Sequence, residues 1–242
     1  MKLYVVGIGP GGEEQMTLRA LRALQQCDCV AGYGLYLNLI DSLLVGKERI
    51  ETSMTQEIKR CTAARDAALS GKTTAIISSG DAGVYGMAEL ALTVCAAYPE
   101  IEVEIIPGVT AACACGAMLG APLTCDFACV SLSDLLTPWE VIAKRLCAAS
   151  EGDFVIALYN PASRKRTDYL KKACDIILSI RPPETVCGLA RNTGRADETT
   201  SLTTLGELRN IQVDMLTTVI IGSRSTKIIN NHMVTPRGYV LP

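Results

Sequence analysis

Short apolar runs alternate along this chain with stretches in which apolar residues recur every three or four positions. Leu3-Tyr4-Val5-Val6 opens the pattern and reads as a strand. Leu18, Leu21 and Leu24 then recur three apart behind Thr17, whose hydroxyl suits a helix N-cap. Residues 29–31 read as a short strand. Ile58, Cys61, Arg65 and Ala68 follow Thr55 and stop at Gly71, which predicts a helix closed by glycine. Residues 73–78 predict a strand, 84–97 a helix, 103–106 a strand and 110–119 an Ala-rich helix after Pro107-Gly108. This βαβα rhythm predicts a mainly parallel sheet covered on both faces.

Segment 116–122 reads as the crossing into a second half, dividing the chain into domains 1–115 and 116–242. The second half predicts strands near 129–132 and at 154–158, 185–189, 199–203 and 218–221. Its helices fall at 138–149 and 167–179, with Pro182-Pro183 separating helix from strand. The late Thr-rich runs favour strands, so a mixed sheet is expected there.

Composition narrows the class. Hydrophobic residues make up 49% of 242 residues, enough for a full core, but only two Phe and one Trp are present. That core must be built from Leu, Ile, Val, Ala and Cys. A formal net charge of −2 gives no reason to expect a nucleic acid or an anionic membrane as partner. The chain opens on a strand-like run rather than a basic, then apolar, leader, and no apolar stretch reaches about 18 residues, so a cytoplasmic address is expected. Eleven Cys in such a chain are expected reduced. Their spacings give no paired C-x2-C arrangement, so they read as small apolar core residues, and no metal site of the protein's own is expected.

Gly7-Ile8-Gly9-Pro10-Gly11-Gly12 follows the first strand and satisfies G-x-G-x-x-G. A dinucleotide site also needs a helix that begins in the loop and an acid at the end of the second strand. Here the helix is expected only near Thr17, the second strand runs into Ala31-Gly32-Tyr33-Gly34 without an acid, and Pro10 removes a backbone donor. A nicotinamide-dependent oxidoreductase is therefore a weaker reading than a tight turn that lets backbone approach a neighbour or a bulky ligand.

Four motifs occur in order: Val6-Gly7-Ile8-Gly9-Pro10-Gly11, Ser79-Gly80-Asp81-Ala82-Gly83-Val84-Tyr85-Gly86, Pro107-Gly108-Val109-Thr110-Ala111, and Tyr159-Asn160-Pro161 with Ser163 and Arg166. Together they resemble the tetrapyrrole (corrin/porphyrin) methylases, essentially end to end. Ser131-Leu132-Ser133-Asp134-Leu135-Leu136-Thr137-Pro138-Trp139 and Thr235-Pro236-Arg237-Gly238-Tyr239 resemble the members that act on C-17 of a precorrin-3-type macrocycle. The resemblance implies two α/β domains with the active site in the cleft between them, a homodimer, and S-adenosylmethionine as cofactor. It implies methylation at C-17 coupled to ring contraction on the way to cobalamin, with cobalt-precorrin-3 favoured over precorrin-3B and any cobalt carried by the substrate. Other tetrapyrroles, a protein or ribosomal RNA are the alternatives within the superfamily.

Carried over by motif, the cofactor residues are Pro10, Gly80, Asp81, Val84, Thr110, Ala111, Tyr159 and Ala190. Gly9, Tyr85, Ser131, Arg166 and Arg191 are the substrate-side candidates, with Arg164, Lys165 and Arg195 as further cations for the substrate's carboxylate arms. Asp81, Ser133 and Asp134 are the candidates for proton transfer and for stabilising developing charge. Simpler roles compete with these. Asp81 is a candidate N-cap for a helix at 84–97, and the Ser133-Asp134 pair for a helix starting at Pro138. His232, the one histidine, has no partner in the sequence and reads as a loop residue.

Overall fold

The computed structural model describes residues 1–163 and 166–240. The chain forms two compact units, Met1–Ala111 and Ala112–Pro242.

In the first unit β1 (Lys2–Gly7), α1 (Leu18–Gln26), β2 (Cys29–Tyr33), α2 (Gly34–Asn38), β3 (Glu48–Thr52), α3 (Glu57–Leu69), β4 (Thr74–Ser78), α4 (Ala88–Cys95) and β5 (Glu102–Ile106) follow in order, and α5 (Ala111–Leu119) begins at its last residue. The five strands are all parallel in the order β3-β2-β4-β1-β5. Alternation along each strand feeds two separate cores. Leu3, Val5, Ala31 and Ile76 pack against Cys61, Ala64 and Ala68 of α3 and Ala88 and Ala91 of α4. Val6, Val30, Ala75 and Ile77 face the other way, onto Ala20 and Leu24 of α1 and Leu37 of α2. Both faces are thus buried, as a parallel sheet requires. β1 sits between β4 and β5, so their carboxyl ends form the switch point where open α/β sheets bind ligands.

The second unit continues with β6 (Gly120–Ala121), β7 (Phe127–Ser131), α6 (Trp139–Glu151), β8 (Val155–Tyr159), α7 (Tyr169–Leu178), β9 (Val186–Arg191), β10 (Thr199–Thr204), α8 (Leu205–Leu208), β11 (Thr217–Ile221), β12 (Lys227–Ile229) and β13 (His232–Val234). Its main sheet has the order β10-β9-β11-β8-β7. β7 and β8 are parallel, while β11 is antiparallel to both β8 and β9. The sheet is mixed, as the Thr-rich strands predicted. β7, β8 and β9 consequently end on one edge, which gathers Ser131, Tyr159 and Arg191. One face packs on α6, α7 and α8; Cys115 and Leu119 of α5 and Met233 of β13 cover Val155, Ala190 and Ile220 on the other.

Arg181 has no counterpart in the sequence reading. It is 2% exposed, and its guanidinium donates to the carbonyls of Ala149, Phe154 and Gly222 at 3.0, 2.6 and 2.6 Å. Two of its nitrogens also reach the Ser150 carbonyl. The cation thus closes the carboxyl end of α6, where free carbonyls and the helix dipole favour positive charge.

Helix α4 begins at Ala88, four residues later than the helix predicted at 84–97. Two features stop it. Tyr85 takes a left-handed backbone, φ 53°, and Gly86 lies where a Cβ would meet the carbonyls of Ala82 and Asp81 at 2.5 and 2.7 Å. β3 was not predicted. Its sequence Glu48-Arg49-Ile50-Glu51-Thr52 carries polar residues on an edge strand with one face exposed. All eleven cysteines are free, and seven are buried. Burial pushes the thiols of Cys27 and Cys174 up to about 12 and that of Cys61 to about 11, which leaves them inert core residues. No described helix is long and apolar enough to cross a membrane.

Candidate active site

In the first unit the loops after β1 and β4 are joined through their backbones, and the loop after β5 packs closely on both. Gly9 and Gly80 exchange two hydrogen bonds, Gly9 N to Gly80 O at 3.0 Å and Gly80 N to Gly9 O at 2.8 Å. Both have left-handed backbones, φ 73° and 71°. At Gly9 a Cβ would strike the Gln15 carbonyl; at Gly7 it would stand 2.6 Å from Gly108 N and 2.8 Å from Gly80 O. A side chain at Gly7 would force the three loops apart, and one at Gly9 would break the turn of its own loop.

Asp81 spans two of these loops. Its Oδ1 accepts from Gly83 N at 2.7 Å and its Oδ2 from Gly108 N at 2.9 Å. The carboxylate is a brace between the β4 and β5 loops, not the cap of α4, whose N-cap is Met87 with no side-chain hydrogen bond. Thr17 ties in the β1 side: its Oγ1 accepts from Ala20 N at 3.1 Å, capping α1, and donates to the Pro107 carbonyl at 3.3 Å. Between Gly12 and α1 lies one 3-10 turn, Glu13–Gln15, so no helix begins in the glycine loop.

The cofactor candidates Pro10, Gly80, Asp81, Val84, Thr110 and Ala111, and the substrate candidates Gly9 and Tyr85, all fall on these three loops. A side chain on Gly80 would project toward Val109 O, Thr110 Cα and Ala111 N at 3.6–3.8 Å. Glycine there leaves that space to a ligand at the first turn of α5, where backbone donors gather. Such a lining suits the ammonium, carboxylate and adenine of S-adenosylmethionine, which carries no phosphate to demand a dedicated cation. Tyr85 is 55% exposed and has a left-handed backbone.

In the second unit the edge of the mixed sheet carries a side-chain network. Ser131 Oγ accepts from Ser133 N at 3.2 Å and from Asn160 Nδ2 at 3.0 Å. Arg166 NH1 donates to Ser133 Oγ at 3.1 Å and to Asp134 Oδ1 at 3.3 Å. Tyr169 donates its hydroxyl to Asp134 Oδ2 at 2.6 Å. These two donors, the Tyr169 hydroxyl foremost, hold the Asp134 carboxyl below the usual aspartate range. The α6 N-cap is Pro138, without a side-chain hydrogen bond, so Ser133 and Asp134 do not cap that helix.

The remaining candidates are partly committed. Tyr159 Oη accepts from Ala112 N at 2.8 Å at the start of α5, and Ala190 is buried on β9. Arg191 is held by Asp214 at 2.8 Å and faces Asp197 at 3.8 Å, so two acids already share the charge expected for a substrate arm. Arg195 has a buried Nε with no partner. Arg164 and Lys165 lie outside the described residues. His232 opens β13 with Nδ1 2.8 Å from the Asn230 carbonyl. Tyr169 was missed from the sequence, and only its place in the first turn of α7 brings it to Asp134.

The comparisons with known proteins show the family. The family model of the tetrapyrrole (corrin/porphyrin) methylases matches residues 2–209. A probable cobalt-factor III C(17)-methyltransferase of Salmonella typhimurium is 47% identical over 99% of this chain and 100% of its own length. A precorrin-3B C(17)-methyltransferase of Sinorhizobium sp is 39% identical over 98% of this chain and 96% of its own. The crystal structure of the methyltransferase CobJ superimposes with a TM-score of 0.87 at 32% identity, over 97% of this chain and 99% of that one. With its family model matched over residues 2–209 and full-length relatives at this identity, the chain belongs to the tetrapyrrole (corrin/porphyrin) methylases and is a methyltransferase.

Proposed function

We propose that this protein transfers a methyl group from S-adenosylmethionine to C-17 of a cobalt-bearing precorrin-3-type macrocycle, with ring contraction, in cobalamin biosynthesis. The observation that carries the reading is the backbone-built cradle at Gly80, Thr110 and Ala111, braced by Asp81, in a chain 47% identical to a relative named for cobalt-factor III. The relative named for precorrin-3B is more distant, at 39%, which favours the cobalt-bearing form.

The residues divide the work. Gly80, Thr110 and Ala111 offer backbone groups to the cofactor, with Pro10 and Val84 as apolar walls; Tyr159 and Ala190 are the cofactor candidates carried over by motif in the second unit. When bound there, the cofactor supplies a methyl group already activated on a sulfonium, so the protein's task is mainly alignment. Gly9 and Tyr85 in the first unit are candidates for the flat macrocycle, and Ser131, Arg166 and Arg191 in the second are candidates for its polar arms. Ring contraction asks in addition for proton movement, for which Asp81, Ser133 and Asp134 are the candidates. The protein acts as a cytoplasmic homodimer in this reading.

Incubation with S-adenosylmethionine and cobalt-factor III, with precorrin-3B in parallel, tests the proposal. One methyl gained on the cobalt macrocycle, at C-17 by NMR, is expected; methylation of neither compound would sink it. Sedimentation gives the assembly, with a dimer expected.

A further inference from the structure

Arg166 is nearly enclosed, its side chain 13% exposed. NH1 is committed to Ser133 and Asp134, yet its Nε is fully buried and has no partner among the described residues. A buried donor without an acceptor is costly, of the order of 1–3 kcal/mol. The guanidinium is held in place nonetheless. Its own backbone exchanges hydrogen bonds with Ser163 at 3.1 Å in both directions. Its side chain is fixed by Asp134, which Tyr169 fixes in turn. The Tyr169 ring is itself packed on Trp139, centroids 4.8 Å apart. Rigid support ending on an unfilled donor is how a protein prepares a site for an acceptor it does not supply.

We propose that Tyr169 is a positioning residue: acting through Asp134, it holds the Arg166 guanidinium ready for a carboxylate arm of the macrocycle. The inference rests on the reading of the substrate as a polycarboxylate tetrapyrrole. Geometry sets the roles. Tyr169 and Arg166 occupy different oxygens of one carboxylate, so neither is displaced when the other engages. Arg offers parallel donors, and a carboxylate that meets Nε and a terminal nitrogen together makes a bidentate pair. Asp134 itself is no proton donor. Tyr169 and Arg166 hold its carboxyl low, Lys172 adds positive charge nearby, and Asp168, the acid beside it, is paired with Lys172 at 2.9 Å. Asp134 therefore serves as an anchor rather than as the acid or base of ring contraction.

Tyr169→Phe isolates the claim, because it keeps the ring on Trp139 and removes only the hydroxyl. Binding of cobalt-factor III and of uroporphyrin, a second flat polycarboxylate, is followed by absorbance, binding of S-adenosylmethionine by calorimetry, and turnover across the neutral pH range. The expected result is an increase of about 10-fold in Kd and KM for the macrocycle, the loss of one charge-assisted contact's alignment. kcat should stay within about twofold, with the pH profile and cofactor affinity unchanged. Arg166→Lys should weaken macrocycle binding at least as much, since it keeps the charge and loses the fork. A fall in kcat with unchanged KM, or a shifted limb of the pH profile, would overturn the proposal in favour of proton transfer. Unchanged binding of both macrocycles would overturn it outright. If the wild type binds uroporphyrin but does not methylate cobalt-factor III, the functional reading fails, and the positioning role is then judged on uroporphyrin alone.

Discussion

The two units present their candidate residues in opposite ways. In the first, three strand-end loops meet through close main-chain contacts between glycines, and the side chains of Asp81 and Thr17 brace them. In the second, Ser131, Ser133, Asp134, Asn160, Arg166 and Tyr169 form a network of side chains on a sheet edge. A backbone site is close to all-or-none, because a Cβ at Gly7 or Gly108 would separate the loops. A side-chain network is graded, because each member can be trimmed singly. The difference suits the ligands proposed for them: a small cofactor whose polar groups backbone can meet, and a macrocycle with carboxylate arms that need cations.

The most severe test of that contrast is Gly108→Ala. The new Cβ would collide with the Gly80 carbonyl and stand 2.7 Å from Gly7 C, both backbone atoms with nowhere to go. A loss of about 3 kcal/mol is expected, the upper part of the usual range for overpacking, measured as a lower urea midpoint. S-adenosylmethionine binding should disappear with it. A variant of wild-type stability would show that the loops are free to separate and that the site is not backbone-built.

Asp81→Ala should come next. It leaves Gly83 N and Gly108 N without their acceptor, at a cost of about 2 kcal/mol. The brace fixes the β4 loop against the β5 loop, so cofactor affinity should fall as well, by about tenfold if one hydrogen bond's worth of alignment is lost. Calorimetry separates the two effects. Lower stability with intact affinity would confine Asp81 to scaffolding and remove it from the cofactor residues.

What the sequence made legible follows the same division. The parallel strands of the first unit read clearly, because burial on both faces makes them continuous apolar runs. The glycine motifs were legible as motifs, since only glycine fits Gly7, Gly9 and Gly108. β3 escaped because an edge strand with one wet face carries Glu and Arg. The start of α4 was misplaced because nothing in Val84-Tyr85-Gly86 announces a left-handed tyrosine. In the second unit the sequence singles out Ser133, Asp134 and Arg166 but not the partners they bond to. Tyr169 and Arg181 act through contacts 35 and 27–41 residues away along the chain. No local pattern carries such information, and capping, the simpler reading of Ser133 and Asp134, fits the sequence equally well.

Tyr159→Phe probes the milder side of the comparison. It removes the acceptor for Ala112 N and the hydrogen bond with the Cys129 thiol. Because the first-turn N–H of α5 can turn partly to water, a loss of about 1 kcal/mol in stability is expected. If Tyr159 also touches the cofactor, affinity for S-adenosylmethionine should fall without any change in macrocycle binding. A stability loss alone would leave Tyr159 as the cap of α5.

The smallest expected effect is the most discriminating between cofactor classes. In a dinucleotide fingerprint the third glycine, here Gly12, is needed for close packing of helix on strand. In this structure an added Cβ at Gly12 would meet nothing within 4 Å, and its backbone, φ −79° and ψ −168°, is extended and open to alanine. Gly12→Ala should therefore keep full S-adenosylmethionine binding and gain up to about 0.5 kcal/mol from a less flexible unfolded chain. The same substitution at Gly9, with φ 73° and a Cβ driven into the Gln15 carbonyl, should be poorly tolerated. Both are glycines of one hexapeptide, and the fingerprint treats both as essential. A tolerant Gly12 beside an intolerant Gly9 means that this loop is shaped to close against Gly80 and not to cradle a pyrophosphate, whereas a costly Gly12→Ala would reopen the dinucleotide reading.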